Sequence, residues 1–151
     1  MKIQIRRMEE KDISKIYEYI HKKYVEKHYP TAQEQQWEAH SLWYHFVLHS
    51  NSYFFYILEK EGELLGTIRY ELEEDKAIVS IFVREEYRGK GYAKFALLES
   101  KAKLLEEVET ELVELEAVIL KENEISQRLF QSCGFVPVKR ELYCCALEGK
   151  G

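Results

Sequence analysis

The sequence of 151 residues predicts one mixed α+β domain over residues 1–151, with about seven strands in one sheet and about four helices. Three strand-like segments, residues 53–58, 64–72 and 77–83, follow one another through short polar turns, which favours an antiparallel half of the sheet. Helical segments follow residues 83 and 120, and such crossovers favour parallel pairing of the strands that they join. The predicted sheet is therefore mixed and mostly antiparallel.

The bulk composition fits a globular chain and argues against several classes of protein. Hydrophobic residues make up 46% and charged residues 32%, which allows both a core and a solvated surface. A net charge of −5 is a poor match for a nucleic-acid-binding protein. No window of about 18 apolar residues occurs, so we expect no membrane-spanning segment. The start of the chain also lacks the apolar core of a signal peptide.

The cysteines and histidines indicate a reducing location and no metal site. Cys133, Cys144 and Cys145 are odd in number and two of them are adjacent, which does not make a disulfide framework. We therefore expect a cytoplasmic protein. His45 and His49 lie four residues apart and share a predicted helix face, but no third ligand has suitable spacing. No metal is predicted.

The first half of the chain predicts a short strand and two helices before the antiparallel strands. Apolar residues at Ile3 and Ile5 indicate the first strand. Residues 11–25 repeat apolar side chains at offsets of three and four, which is the helical period. Thr31 and Glu34 have the spacing of a capping box, so a second helix is expected to start there and to end near residue 51.

The second half predicts two helices that alternate with strands. Residues 90–107 read as a long helix, and residues 112–120 as a strand. The apolar stripe of that helix consists of Phe95, Leu98, Ala102 and Leu105. Asn123 is a candidate N-cap of a short helix that Gly134 ends. Two strands close the chain, at residues 135–138 and 142–147.

The segment with the clearest chemistry follows the strand at residues 77–83. That strand is apolar apart from Ser80, which indicates burial on both faces. Two glycines then lead into a helix, where free amides bind phosphate and a bare backbone lets an anion approach. Arg88 and Lys90 add positive charge. Local chemistry leaves two interpretations equally open, a phosphate cradle or a turn without a ligand. The spacing of the glycines fits neither the nucleoside-triphosphate loop nor the dinucleotide-binding fingerprint.

The glycine segment resembles a known fingerprint. Arg88-x-x-Gly91-x-Ala93 satisfies the pattern [QR]-x-x-G-x-[GA] of the GNAT superfamily of N-acetyltransferases. The predicted order of strands and helices is similar to that superfamily over roughly residues 2–147. The resemblance implies a GNAT-like fold in which a central parallel pair of strands splays apart, and an enzyme that uses acetyl-CoA.

A second segment strengthens the resemblance. The residues from Asn123 to Phe135, with Ser126, Leu129, Phe130 and Gly134 between them, resemble the superfamily pattern N-x-x-A-x-x-L-Y-x-x-x-G-F. The backbone of the strand before the glycines would pair with the pantetheine arm of acetyl-CoA, and the glycine segment would hold its pyrophosphate. The cofactor-binding residues that the resemblance implies are Ile81, Phe82, Val83, Arg88, Gly89, Lys90, Gly91, Tyr92, Ala93, Asn123, Ser126 and Phe130. Asn123 has a competing interpretation as a plain helix cap.

The catalytic residues do not carry over directly. Many members have a tyrosine acid at the position of Phe130, which has no proton to give, so Tyr143 is a candidate substitute; the thiolate could also leave unaided. Some members have a glutamate base at the position of Val118. Strand alternation places Glu116 on the same face, two residues away, and makes it the candidate base. A solvated glutamate is the competing interpretation, and Glu71 and its neighbour Tyr70 are further options.

The resemblance implies transfer of an acetyl group to a primary amine of a small molecule by direct attack on the thioester. No nucleic acid or membrane partner is expected, and the chain is expected to be a monomer or a homodimer. Two alternatives stay open: a non-catalytic acyl-CoA-binding sensor, and a peptide or protein N-terminal acetyltransferase. Phe130 and the lack of an obvious base are the reasons for considering the sensor beside the leading interpretation as an enzyme.

Overall fold

A computed structural model describes residues 3–21 and 33–147 of the chain. The strands are β1 Ile3–Arg7, β2 Tyr53–Lys60, β3 Glu63–Glu73, β4 Lys76–Val83, β5 Glu114–Val118, β6 Val136–Lys139 and β7 Leu142–Ala146. The helices are α1 Asp12–Ile16, α2 Gln33–His49, α3 Tyr92–Glu107 and α4 Glu124–Ser132. A π-helical turn, Tyr17–His21, continues α1, and a 3₁₀ turn, Glu85–Tyr87, precedes α3.

The seven strands form one sheet in the order β1-β2-β3-β4-β5-β7-β6. Five of the neighbouring pairs are antiparallel, and β4 with β5 is parallel. The mixed sheet, its parallel pair and the four α-helices of the described residues confirm the predicted fold class. In the described part of the chain, no helix is long and apolar enough to cross a membrane.

Each face of the sheet has its own apolar cluster, because strand side chains alternate between faces. On the front face, Phe55 and Ile57 of β2 pack with Ile16 of α1 and Val47 of α2. On the back face, the larger cluster joins Tyr56, Leu58 and Tyr70 to α3 and α4; the helical side chains in it are Ala96, Leu97, Leu104 and Phe130. The sheet therefore lies between two helical layers.

The burial of β4 differs from the sequence-based prediction of a strand covered on both faces. Ala77, Val79 and Val83 are buried on the back face, whereas Ile78 and Ile81 are half-buried and Ser80 is exposed. The prediction was wrong because apolar residues at exposed positions hide the alternation. On the front side of β4, Ile78 and Ser80 stay accessible, whereas Ile81 packs against the back-face cluster.

The predicted stripe of α3 was also wrong, by about one position. Leu98 is 45% exposed, whereas Ala96, Leu97, Ser100 and Leu104 are buried. Ser100 is accepted in the core because its hydroxyl hydrogen-bonds the Tyr70 hydroxyl at 2.8 Å. Because the buried Ser100 is polar, the apolar residues alone do not mark the buried face of α3, and the prediction chose a neighbouring face.

The helical region before residue 33 is described only in part. The predicted helix over residues 11–25 is an α-helix for five residues and then a π-helical turn. Residues 22–25 and the capping residue Thr31 lie outside the described residues. The second predicted helix is confirmed as α2 and ends at His49, two residues before the expected end.

Candidate functional site

The centre of the site is the point at which β4 and β5 separate. Their parallel pairing covers only three positions, from Lys76 beside Glu114 to Ile78 beside Glu116. Residues 79–83 of β4 remain paired with β3 on their other side. Polar backbone groups of that stretch therefore face a gap, where an extended ligand can pair with them as an added strand does.

A cleft of about 190 Å³ occupies the gap between the two strands. It is lined by Val79, Ser80, Ile81, Val118, Ile119, Leu120, Asn123, Ser126 and Phe130. None of these described side chains is ionisable. Amide, hydroxyl and apolar groups suit an uncharged, amide-containing chain such as pantetheine, so the residues present fit this part of coenzyme A.

The glycine segment, residues 88–93, follows the carboxyl end of β4. Gly89 and Gly91 have φ of 77° and 83°, in the left-handed region where other residues are strained. Gly91 is the N-cap of α3, and its carbonyl accepts the Phe95 amide at 3.2 Å. Residues 88–91 are exposed. The free first-turn amides of the 16-residue α3 follow directly after this exposed stretch and can bind a pyrophosphate there.

Two arginines fix the segment in place. Arg88 donates from Nε to the Val83 carbonyl at 2.8 Å, which ties the segment back to β4. Arg84 is 7% exposed and donates to the Leu64 carbonyl at 2.9 Å, and it forms ion pairs with Glu63 and Glu86. These contacts hold the backbone between β4 and the glycine segment in one position relative to the strands.

Asn123 is confirmed as the cap of α4. Its Oδ1 accepts the Ser126 amide at 3.1 Å, and both residues also line the cleft. Phe130 closes the cleft on its back side, is 4% exposed and packs edge-to-face on Phe135 with ring centroids 5.0 Å apart. The structure therefore brings Ile81, Asn123, Ser126 and Phe130 together.

Glu116 lies beside the gap but does not line the cleft. It is on the front face next to Ile78, and its Oε1 lies 2.6 Å from Nζ of Lys76. That hydrogen bond, with the charges of nearby glutamates, raises the pKa of Lys76. The first exposed position of β4 towards the cleft is Ser80, about 7 Å further along the strand.

Tyr143 lies on the opposite face of the sheet. It pairs with Ala117, is 8% exposed and lines a separate cleft of about 680 Å³ with Lys121, Lys139 and Arg140. The structure does not bring Tyr143 to the gap between β4 and β5. Among the other candidate bases, Tyr70 is fully buried under α3; Glu71 is on the front face and accepts a hydrogen bond from the Tyr53 hydroxyl at 3.1 Å.

Sequence reasoning missed several residues of the site. Val79, Ser80 and residues 118–120 line the cleft and were not assigned. Ser80 had a signal, since it is the one polar residue in an apolar strand. Arg69 of β3, opposite Ser80 in the sheet register, had none, because an arginine in a strand ordinarily faces solvent. No group of described histidine, cysteine or carboxylate side chains could hold a metal ion.

Solved structures with the same fold include several N-acetyltransferases. Mutant forms of the spermidine/spermine N-acetyltransferase of Vibrio cholerae align with a TM-score of 0.77 at 16% identity, over 96% of this chain and 95% of that chain. The spermidine N-acetyltransferase of the same organism, in complex with CoA and spermine, gives 0.75 at 17%, over 95% and 92%. The PaiA N-acetyltransferase of Thermoplasma acidophilum, in complex with coenzyme A, gives 0.75 at 15%, over 97% and 100%.

The sequence itself gives a family match. No curated protein sequence gives a significant match to this chain. The family described as "Acetyltransferase (GNAT) domain" matches residues 2–136, which is most of the chain. The splayed parallel strands and the glycine segment before α3 lie within that match. The chain belongs to the GNAT acetyltransferase family.

Proposed function

We propose that this chain is an acetyl-CoA-dependent N-acetyltransferase that acetylates the primary amine of a small molecule. The observation that carries the proposal is the gap between β4 and β5, with the cradle of residues 88–93 at its end. A neutral cleft next to a helix N-terminus matches a cofactor with an amide-rich arm and a pyrophosphate. The donor supplies an activated acetyl thioester.

Each part of the cofactor has a proposed partner in the chain. The backbone of residues 81–83 would pair with the arm, and Asn123 and Ser126 would contact it from α4. The amides of residues 88–93 would bind the pyrophosphate, with Arg88 and Lys90 adding positive charge. Phe130 would pack beside the thioester from the back face. The acceptor would therefore approach from the front face, where Ser80 is exposed.

The amine must lose a proton before it can attack. An alkyl amine has a pKa of about 10 and is almost wholly charged at neutral pH. Glu116 is the proposed base, acting through water because it lies outside the cleft, and Lys76 would hold its carboxylate in place. Tyr143 lines a separate cleft and not the one between β4 and β5, so we do not propose it as a direct acid. Departure of the thiolate without a protein acid is the simpler proposal.

The small-molecule acceptor is supported by the relative that is in complex with CoA and spermine. Its identity with this chain is 17%, so the acceptor itself does not carry over. A peptide or protein N-terminus is the alternative acceptor for the same chemistry. The cytoplasmic location and the monomeric or homodimeric state stay predictions from the sequence.

The proposal is tested by thiol release from acetyl-CoA across a panel of amines and short peptides. Gly91→Val forces a branched side chain into the left-handed region and should raise the KM for acetyl-CoA at least about tenfold. Gly62→Val is the matched control, since Gly62 has φ of 82° in the turn between β2 and β3. Turnover that responds equally to both variants would contradict the proposed cradle.

The non-catalytic sensor is the second candidate, because no ionisable described side chain lines the cleft. It predicts tight coenzyme A binding, lost in Gly91→Val, with no acetylation of any amine or peptide. Calorimetric titration of coenzyme A, run beside the activity assay, separates it from the enzyme.

A further inference from the structure

The front face beside the cleft holds an arginine that the proposed reaction does not use. Arg69 stands opposite Ser80 in the β3–β4 register, and its Nη2 donates to the Ser80 hydroxyl at 3.4 Å. Ser80 lines the cleft between β4 and β5. The guanidinium therefore lies at the rim of the place where the amine would meet the thioester.

The other side of this guanidinium rests on the helical layer. Its central carbon lies 5.3 Å from the ring centroid of Trp43 in α2, within the range of a cation–π contact. Arg69 is half-buried, between the helix and the cleft. The contacts with Trp43 and Ser80 together hold the guanidinium beside the cleft.

Among the described residues, Arg69 forms no ion pair. Two acids of the front face have other bonding partners among the described residues: Glu71 accepts the neutral Tyr53 hydroxyl, and Glu116 pairs with Lys76. A half-buried guanidinium with free donors is the preferred binding group for carboxylate and phosphonate oxygens.

We propose that Arg69 is a specificity-determining residue that binds an anionic oxygen group of the acceptor, so that the acceptor is an amine carrying a carboxylate or phosphonate close to its nitrogen. This inference rests on the proposed function. A guanidinium beside the transfer point that forms no ion pair with a described residue attracts such an acceptor and repels a second amine on the same molecule. The acceptor would be an amino acid or a similar zwitterion, and a simple polyamine would be a poor substrate.

Matched acceptors test the inference in the full-length protein. Tyrosine is compared with tyramine, histidine with histamine, and lysine with cadaverine, and spermidine and the phosphonate analogue of alanine are added as separate arms. We expect kcat/KM to favour the carboxylate-bearing member of at least one pair by tenfold or more, and the phosphonate arm shows which anion the site prefers. A change of tenfold corresponds to about 1.4 kcal/mol, within the range of one charged hydrogen bond.

Variants locate the preference. Arg69→Gln should remove it through a higher KM for the acid-bearing acceptor, while KM for acetyl-CoA stays the same. Arg69→Lys should keep part of it, because the charge remains and the planar fork is lost. Arg140→Gln, at the exposed turn between β6 and β7, is the control and should change nothing. Unchanged coenzyme A binding shows that each variant is folded.

Three results would overturn the inference. Equal efficiency within every pair, or a ratio that Arg69→Gln does not alter, would remove Arg69 from acceptor selection and leave the acetyltransferase proposal intact. Preference for spermidine or for the decarboxylated amines would likewise exclude Arg69 as the residue that selects the acceptor, without contradicting the acetyltransferase proposal. No acetylation of any acceptor, with tight coenzyme A binding, would contradict the proposed function and this inference with it.

Discussion

The two halves of β4 belong to one strand but meet different neighbours. Residues 76–78 are paired with β5, and Lys76 adds an ion pair to Glu116. Residues 79–83 are paired with β3 only, and Val79, Ser80 and Ile81 line the cleft on the other side. The first half closes the sheet, and the second half leaves backbone groups for a ligand.

This difference separates two kinds of site. The proposed cofactor site is made mainly from backbone groups and glycine conformations, with α4 side chains such as Asn123 making additional contacts. The proposed acceptor and catalytic groups are side chains on the front face, among them Arg69, Glu71 and Glu116. Changes to the backbone should therefore affect stability and cofactor binding, and changes to the front face should affect turnover and acceptor choice.

The largest effect on stability is expected at Gly66 of β3, which lies opposite Val83 in the half of β4 that is not paired with β5. A Cβ at this position would lie 2.2 Å from the Phe82 carbonyl oxygen, which forces the two backbones apart. We expect Gly66→Ala to lower the free energy of unfolding by about 3 kcal/mol and to weaken coenzyme A binding. Urea denaturation measures the first effect, and calorimetry the second.

Gly62→Ala is the control for this change, because no atom lies within 4 Å of the added Cβ. Its φ of 82° still costs about 1 kcal/mol, without an effect on coenzyme A. If Gly66→Ala were as mild as Gly62→Ala, the close approach of β3 and β4 would not support the cleft.

The next effect concerns Glu116 and tests whether its pair with Lys76 is catalytic or structural. As a general base, Glu116 contributes about a hundredfold, so Glu116→Gln should lower kcat by that factor at saturating acetyl-CoA. Lys76→Met should lower kcat much less, because the carboxylate remains. A structural pair predicts instead that both variants lose a little stability and keep kcat, which thermal unfolding and steady-state kinetics distinguish.

A smaller effect is expected at Asn123, which caps α4 and lines the cleft. Asn123→Ala should cost about 1 kcal/mol of stability through the lost cap. Asn123→Ser keeps a capping oxygen and removes the amide, so it should retain stability and weaken coenzyme A binding by about five- to tenfold. Wild-type affinity in Asn123→Ser would show that the cap is the whole role of this side chain.

The comparison also explains what the sequence could predict. The order of strands and helices along the chain, the glycine turn into α3 and the Asn123 cap depend on period, turn residues and helix ends, which are local signals. The face of α3 was mispredicted because Ser100 is buried with a partner, Tyr70, that is 30 residues away. Such a long-range hydrogen bond has no local signature.

The same reason limits the prediction of the front face. The pairing of Glu116 with Lys76 and the contact of Arg69 with Trp43 join residues from different elements. The alternation of strand residues correctly placed Glu116 on the same face as Val118, which is the front face. It could not show that Lys76 holds the carboxylate. The partners of a charged side chain follow from the tertiary fold, and the sequence alone does not fix them.

The central claim is that coenzyme A adds as a strand to residues 79–83, the half of β4 that is not paired with β5. Amide hydrogen exchange tests it most directly. Exchange is measured residue by residue along β4 with and without saturating coenzyme A. The amides of residues 79–83 that face the cleft should slow by at least about tenfold, and those of residues 76–78 should not change. Equal slowing of both halves, or no slowing in residues 79–83 despite binding, would contradict the claim.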